Sequence, residues 1–148
     1  MPYFTYDTSV IISRKLKDLP GRSGSFLMSA VVLMELCASA RDDSQRKVYE
    51  RLFRQYKEDH SLIVPDEDDW LLASKILYWL AQSRRLSLKG KLKRLPTGAS
   101  QRMALDVLIA VSARRWKAIV VTENWDDFKL IQRFSNSKIV KASEFFRQ

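Results

Sequence analysis

The stretch RMALDVLIAVSARRWKAIVVTENWDDF, Arg102–Phe128, decides the fold. Leu105, Leu108, Ile109 and Ser112 recur at helical spacing, and Ala104, Ala110 and Ala113 favour helix. Asp106 lies inside this apolar helix, where a carboxylate without a partner is costly. Ala118–Val121, AIVV, is short, apolar and rich in β-branched residues, which predicts a buried parallel strand. The segment Thr122–Asp127, TENWDD, then reads as a turn carrying Glu123, Asp126 and Asp127. In open α/β sheets, sites form at the carboxyl ends of strands, and that is where these acids fall.

Upstream, Tyr3–Tyr6 is a run of aromatics and Thr suited to a strand. Asp7 follows at a strand-to-helix junction, a common place for a helix N-cap. Leu19–Ser25, with one Pro and two Gly, reads as a loop, and Phe26–Met28 as a second strand. Ser29 can cap a helix through Ala30–Ala40, which holds Glu35 among apolar residues. Ser44–His60 is an amphipathic helix with Val48, Leu52, Phe53 and Tyr56 at the spacing of a buried stripe. His60 falls at its end, where a basic group is favoured, and is assigned no chemistry. Leu62–Val64 is a further strand. Asp66–Asp69, DEDD, fits the first turn of a helix, where the dipole favours acids, better than a metal cluster. The Trp and Tyr residues of Trp70–Trp79 read as core rather than as stacking platforms.

Downstream of the central stretch, Lys129–Phe134 continues a helix, Lys138–Val140 is a last strand, and Ala142–Phe146 a short closing helix. Strands and helices alternate, which predicts an α/β fold with a parallel sheet between helices and right-handed crossovers.

The chain of 148 residues is expected to form one domain, 1–148. Hydrophobic content of 46% and charged content of 29% are ordinary for a soluble protein. No apolar run approaches the roughly 18 residues of a membrane span, and MPYFTYD lacks the features of a signal peptide. The lone Cys37 excludes an intrachain disulfide, so the expected home is cytoplasmic. The net charge of +9 points to a polyanionic partner. Within Ser83–Leu95, the cations Arg84, Arg85, Lys89, Lys91, Lys93 and Arg94 stand without an acid. They are either a solvated loop or contacts for a nucleic-acid backbone, and become RNA-contact candidates only under the resemblance given below.

The chemistry comes from combining the acids. Asp7 and the Thr122–Asp127 turn follow parallel strands and so face one edge of the sheet; Asp106 and Glu35 sit on helices able to face it. Clustered carboxylates repel and raise one another's pKa, a conflict that a divalent cation removes. Oxygen ligands without imidazole or thiolate suit Mg²⁺ or Mn²⁺, while one His and one Cys build neither an ordinary zinc site nor a two-histidine nuclease. A metal held by carboxylates can activate water and stabilise the leaving oxygen of a phosphodiester.

These residues carry a resemblance. YDTSVII at Tyr6–Ile12, SAVVLMEL at Ser29–Leu36, LDVLIAVSA at Leu105–Ala113 and VVTENWDDF at Val120–Phe128 together resemble the PIN-domain family, most of all the VapC-type toxins of VapBC toxin–antitoxin pairs. The resemblance implies a three-layer α/β/α sandwich with a central, mainly parallel sheet. It also implies a Mg²⁺- or Mn²⁺-dependent endoribonuclease that leaves a 5′-phosphate, a homodimer, and a small antitoxin partner that blocks the site. It assigns Asp7, Asp106 and Asp127 to the metal, with Glu35 as ligand or activator of water. Thr8 and Thr122 would orient carboxylates or waters, and Asn124 would shape the turn. Asp126 competes with Asp127 for the last ligand position. Two other readings stay open: a PIN-type nuclease of RNA maturation or decay without an antitoxin, and a catalytically silent module that binds RNA or a protein partner.

Overall fold

The computed structural model describes residues 2–14, 25–87 and 99–147, with the side chains of 84–87 and 99–100 outside that description. The expected loop Leu19–Ser25 therefore lies almost wholly outside the described residues. So does the basic run: Lys89, Lys91, Lys93 and Arg94 fall beyond them, as do the side chains of Arg84 and Arg85.

The elements alternate as the sequence implies. Strands β1 (Phe4–Tyr6), β2 (Met28–Ser29), β3 (Leu62–Ile63), β4 (Ile119–Thr122) and β5 (Ile139–Lys141) are interleaved with helices. These are α1 (Thr8–Ser13), α2 (Ala30–Ala38), α3 (Asp43–Glu58), α4 (Glu67–Ser87), α5 (Ala99–Arg115), α6 (Trp125–Ser135) and α7 (Ala142–Phe145). One parallel sheet has the order β1–β4–β5, and β2 pairs in parallel with β3. A parallel bridge between Phe4 and Phe26 joins the two, with Phe4 N–H donating to Ser25 O and Leu27 N–H to Phe4 O, both at 2.9 Å. The spatial order is thus β3–β2–β1–β4–β5. The chain winds outward from β1 to one side, then returns to lay β4 and β5 on the other. The gap outside the ends of β1 and β4 is the point where strand order reverses, the place such sheets bind ligands.

Burial explains the elements. β4 lies in the middle of its sheet, with Val120, Val121 and Thr122 buried. α5 is enclosed from Val107 to Ala113, which is why it is apolar nearly all round. Phe4 and Tyr6, on one face of β1, meet Phe26 and Phe145, and Phe26 meets Tyr56 of α3. No helix among the described residues is long and apolar enough to cross a membrane.

Four expectations need correction. The acidic turn is shorter than Thr122–Asp127, because α6 begins at Trp125 and takes Asp126 and Asp127 into its first turn. There the helix dipole favours them. Strands β4 and β5 each end one residue later than expected, because the parallel ladder pairs Thr122 with Lys141. In α3, Tyr56 is buried, but Val48 and Phe53 are exposed, so the inward stripe is narrower than the spacing implied. The aromatics of α4 are not core: Trp70 is 56% exposed, Tyr78 61% and Trp79 40%. Asp69, Ala73 and Ile76, at three- and four-residue spacing, fill the inward stripe instead.

The acids of Asp66–Asp69 cap α4, as the dipole reading anticipates. Asp66 N–H donates to Asp69 Oδ2 at 3.0 Å, and Asp69 N–H to Asp66 Oδ1 at 2.8 Å. Arg115 Nε lies 3.3 Å from Asp66 Oδ2 and 3.2 Å from Asp69 Oδ2, and Arg115 also donates to Val64 O at 2.6 Å. The arginine ties the start of α4 to the end of α5.

Candidate active site

The site is built where β1 and β4 end side by side. Asp7 is the N-cap of α1, its Oδ1 accepting from Val10 N–H at 3.2 Å and from Ser9 Oγ at 2.6 Å. Its Oδ2 accepts from Thr122 Oγ1 at 2.6 Å, across the strand-order reversal. Asp7 is 2% exposed, so every lone pair it turns inward needs such a donor. The cap reading holds, and capping fixes the carboxylate at the end of β1.

Thr8 Oγ1 donates to Glu35 Oε1 at 2.9 Å, which joins α1 to α2 and turns Glu35 toward Asp7. Ser29 caps α2 by accepting from Val32 N–H, so the register of Glu35 on that helix is set from its first turn. On the other side of the crevice, Asn124 N–H donates to Thr122 Oγ1 at 2.8 Å, and Asn124 Nδ2 donates to Asp127 Oδ2 at 2.9 Å. Asn124 shapes the turn and holds Asp127 at the start of α6. Glu123 is diverted: Arg14 Nε donates to its Oε1 at 2.7 Å, and its N–H donates to Ser9 Oγ at 3.2 Å. Asp126 is exposed on the first turn of α6, whereas Asp127 is half-buried and hydrogen-bonded to Asn124. That contrast favours Asp127 as the inward acid.

Asp106 differs from the rest. It is half-buried on α5, and no hydrogen bond among the described residues reaches its carboxyl group. Burial, then the charges of Asp7, Glu35 and Asp127, push its pKa up to about 8, against the pull of Arg102. Asp7 is also raised, by burial first, despite hydrogen bonds from Ser9, Thr122 and Val10. Glu35 is raised by burial, with Thr8 opposing and Asp7 adding. Asp106 therefore senses the charges of Asp7, Glu35 and Asp127, and Glu35 that of Asp7. Yet no three acids, cysteines or histidines among the described residues are gathered closely enough to hold an ion. The two facts concern different ranges. Coulomb coupling in a low-dielectric cleft reaches well beyond the ~2.1 Å of a Mg²⁺–oxygen bond. Hydroxyls hold Asp7 and Glu35, and the Asn124 amide holds Asp127. The donor set, all oxygen, fits a hard divalent ion.

Sequence reading singled out Asp7, Thr8, Glu35, Asp106, Thr122, Asn124 and Asp127, and the fold brings them to one crevice. It passed over Ser9, Arg14 and Arg102. Ser9, two residues after Asp7, has the spacing of a local Ser–Asp contact and could have been found. Arg14 meets Glu123 across 109 residues of chain, a pairing that carries no local signal.

No family model and no curated protein sequence matches this chain. Solved structures do. A chain of VapBC-1 from nontypeable Haemophilus influenzae aligns with a TM-score of 0.54 at 19% identity, covering 95% of this chain and 98% of that one. A chain of DNA-bound VapBC from Salmonella typhimurium gives 0.56 at 17% identity, covering 96% and 99%. A chain of FitAB bound to an IR36 DNA fragment gives 0.56 at 15%, covering 94% of each. Likeness at such identities establishes architecture: this chain has the fold of these VapBC and FitAB chains, a parallel sheet flanked by helices, as the PIN-domain resemblance implies.

Proposed function

We propose that this chain is a Mg²⁺- or Mn²⁺-dependent endoribonuclease acting as the toxin of a toxin–antitoxin pair, with a small antitoxin partner and a homodimeric state. The observation that carries the reading is Asp106: a half-buried carboxyl that no donor among the described residues meets and that faces the charges of three other acids. A protein gains nothing in stability from that arrangement, and a cation resolves it. Asp7, Asp106 and Asp127 would hold the ion, with Glu35 as a further ligand or as the acceptor of a water proton. When bound, such an ion supplies an activated water at neutral pH and stabilises the leaving oxygen of the cut phosphodiester.

The remaining roles belong to the chain's own groups. Thr122, Ser9 and the Val10 amide fix Asp7 so that its carboxylate does not rotate away. Thr8 aims Glu35, and Asn124 aims Asp127. Arg102 favours the ionised form of Asp106. The partner reading rests on the fold shared with chains of VapBC and FitAB, whose structures include DNA-bound complexes.

A second reading, a catalytically silent RNA- or partner-binding module, has one observation in its favour: the acids stand apart rather than gathered. Incubating the purified protein, freed of any copurified partner, with end-labelled structured RNA separates the two. Discrete cuts with 5′-phosphate ends in Mg²⁺ or Mn²⁺, absent in EDTA, are expected. Salt-sensitive RNA binding without cuts would instead favour the silent module.

A further inference from the structure

Two side chains at the same edge of the sheet take no part in holding the acids. Trp125 opens α6 directly after the Glu123–Asn124 turn, two residues before Asp127. Lys141 is the ladder partner of Thr122 in the β4–β5 pair, and Thr122 in turn touches Asp7. Both therefore flank the crevice on its β5 side. Lys141 Nζ lies 5.4 Å from the centre of the Trp125 ring. The indole is half-buried and packed against the core, so it is an anchored plate rather than a loose side chain. Lys141 is exposed and forms no ion pair among the described residues. Lys129, also exposed, stands one helical turn after Trp125 on α6.

We propose that Trp125 and Lys141 form a subsite for one unpaired nucleotide of the RNA strand, the indole stacking its base and the ammonium holding its phosphate. The subsite rests on the nuclease reading and says where the strand lies relative to the acids. In the free protein the ammonium occupies the ring. A cation–π contact at an exposed site is the weaker interaction, and stacking of a base on an aromatic ring outweighs it. The displaced ammonium does not lose its partner, because the same nucleotide brings a phosphate. A half-buried ring limits the motion needed for this exchange to the lysine. Stacking is tolerant of base identity, so the subsite selects single-stranded RNA, not a particular base.

The test is binding of a short fluorescent single-stranded RNA of mixed sequence in EDTA, where no cutting occurs, for wild type, Trp125→Phe, Trp125→Leu and Lys141→Gln. Trp125→Leu should weaken binding roughly 5- to 150-fold, the span of base–aromatic stacking, while Trp125→Phe stays within a few-fold of wild type. Lys141→Gln, at an exposed position where folding is not at stake, should reduce the slope of log Kd against log salt by about 0.7. Titration of each variant with Mn²⁺ should match wild type, since none of the changes touches the acids. Unchanged RNA affinity in Trp125→Leu, or an unchanged salt slope in Lys141→Gln, overturns the subsite while wild-type binding and cleavage leave the nuclease reading standing. A wild type that neither binds nor cuts RNA overturns both.

Discussion

Asp106 is a carboxyl group that no hydrogen-bond donor among the described residues meets, so burial and the surrounding charges govern its proton. Its ordinary value is 3.8, and in the fold it is pushed up to about 8. Between those limits the folded chain keeps a proton that the unfolded chain has released, so stability falls as pH rises and levels off above about 8. Each pH unit in that window removes up to about 1.4 kcal/mol for a single site. Asp7 and Glu35, also raised, act in the same direction. The thermal midpoint in EDTA should therefore drop between pH about 5 and about 8, and Asp106→Asn should flatten most of that drop. A midpoint that rises over this range, or an unchanged slope in the variant, would contradict the assignment. Thr122 gives a second test at this scale. Its hydroxyl satisfies a carboxylate that is 2% exposed, so Thr122→Val should cost about 1–3 kcal/mol in urea unfolding, and Thr122→Ser much less.

At the scale of elements, α4 shows how local and tertiary demands divide a sequence. Its first-turn acids are legible without a structure, because dipole and capping act within a few residues. The Arg115 tie to Asp66 and Asp69 is not legible, since it spans two helices. Asp66→Ala should cost about 0.5–2 kcal/mol by loss of the N-cap bond to Asp69 N–H, with RNA cleavage intact. Loss of metal-dependent cleavage in that variant would place the DEDD run in the chemistry. The alternation of elements, the buried β4 strand and the Asp7 junction were likewise readable, because each follows from periodicity or capping nearby. What could not be read was which side of a uniformly apolar run turns inward. Trp70, Tyr78 and Trp79 looked like core by composition and are exposed, since the inward stripe was already filled by Asp69, Ala73 and Ile76. The same limit applied to the end of the acidic turn. Whether Asp126 and Asp127 lie in a loop or in a first helical turn depends on where the chain begins hydrogen bonding to itself, and Phe128 N–H donates to Asn124 O.

At the scale of the whole molecule, the strand order brings residues 115 positions apart, Asp7 and Thr122, within 2.6 Å, and the crevice exists only because β1 and β4 are neighbours. The fold also leaves the apolar face of Trp70, Leu71 and Tyr78 on α4 uncovered, the kind of patch that marks a protein contact. For the proposed homodimer, light scattering should give twice the chain mass for wild type and the single mass for Leu71→Glu with Tyr78→Glu; a dimeric variant would move the interface elsewhere. The central claim, that Asp7, Asp106 and Asp127 hold one divalent ion with Glu35 beside them, is tested most directly by calorimetric titration of Mn²⁺ into the partner-free protein and into Asp106→Asn at pH about 7.5. The account predicts one Mn²⁺ per chain, bound with release of protons, and binding weakened at least roughly tenfold with reduced proton release in the variant. Equal Mn²⁺ affinity in the two proteins, or no binding to wild type, would contradict it.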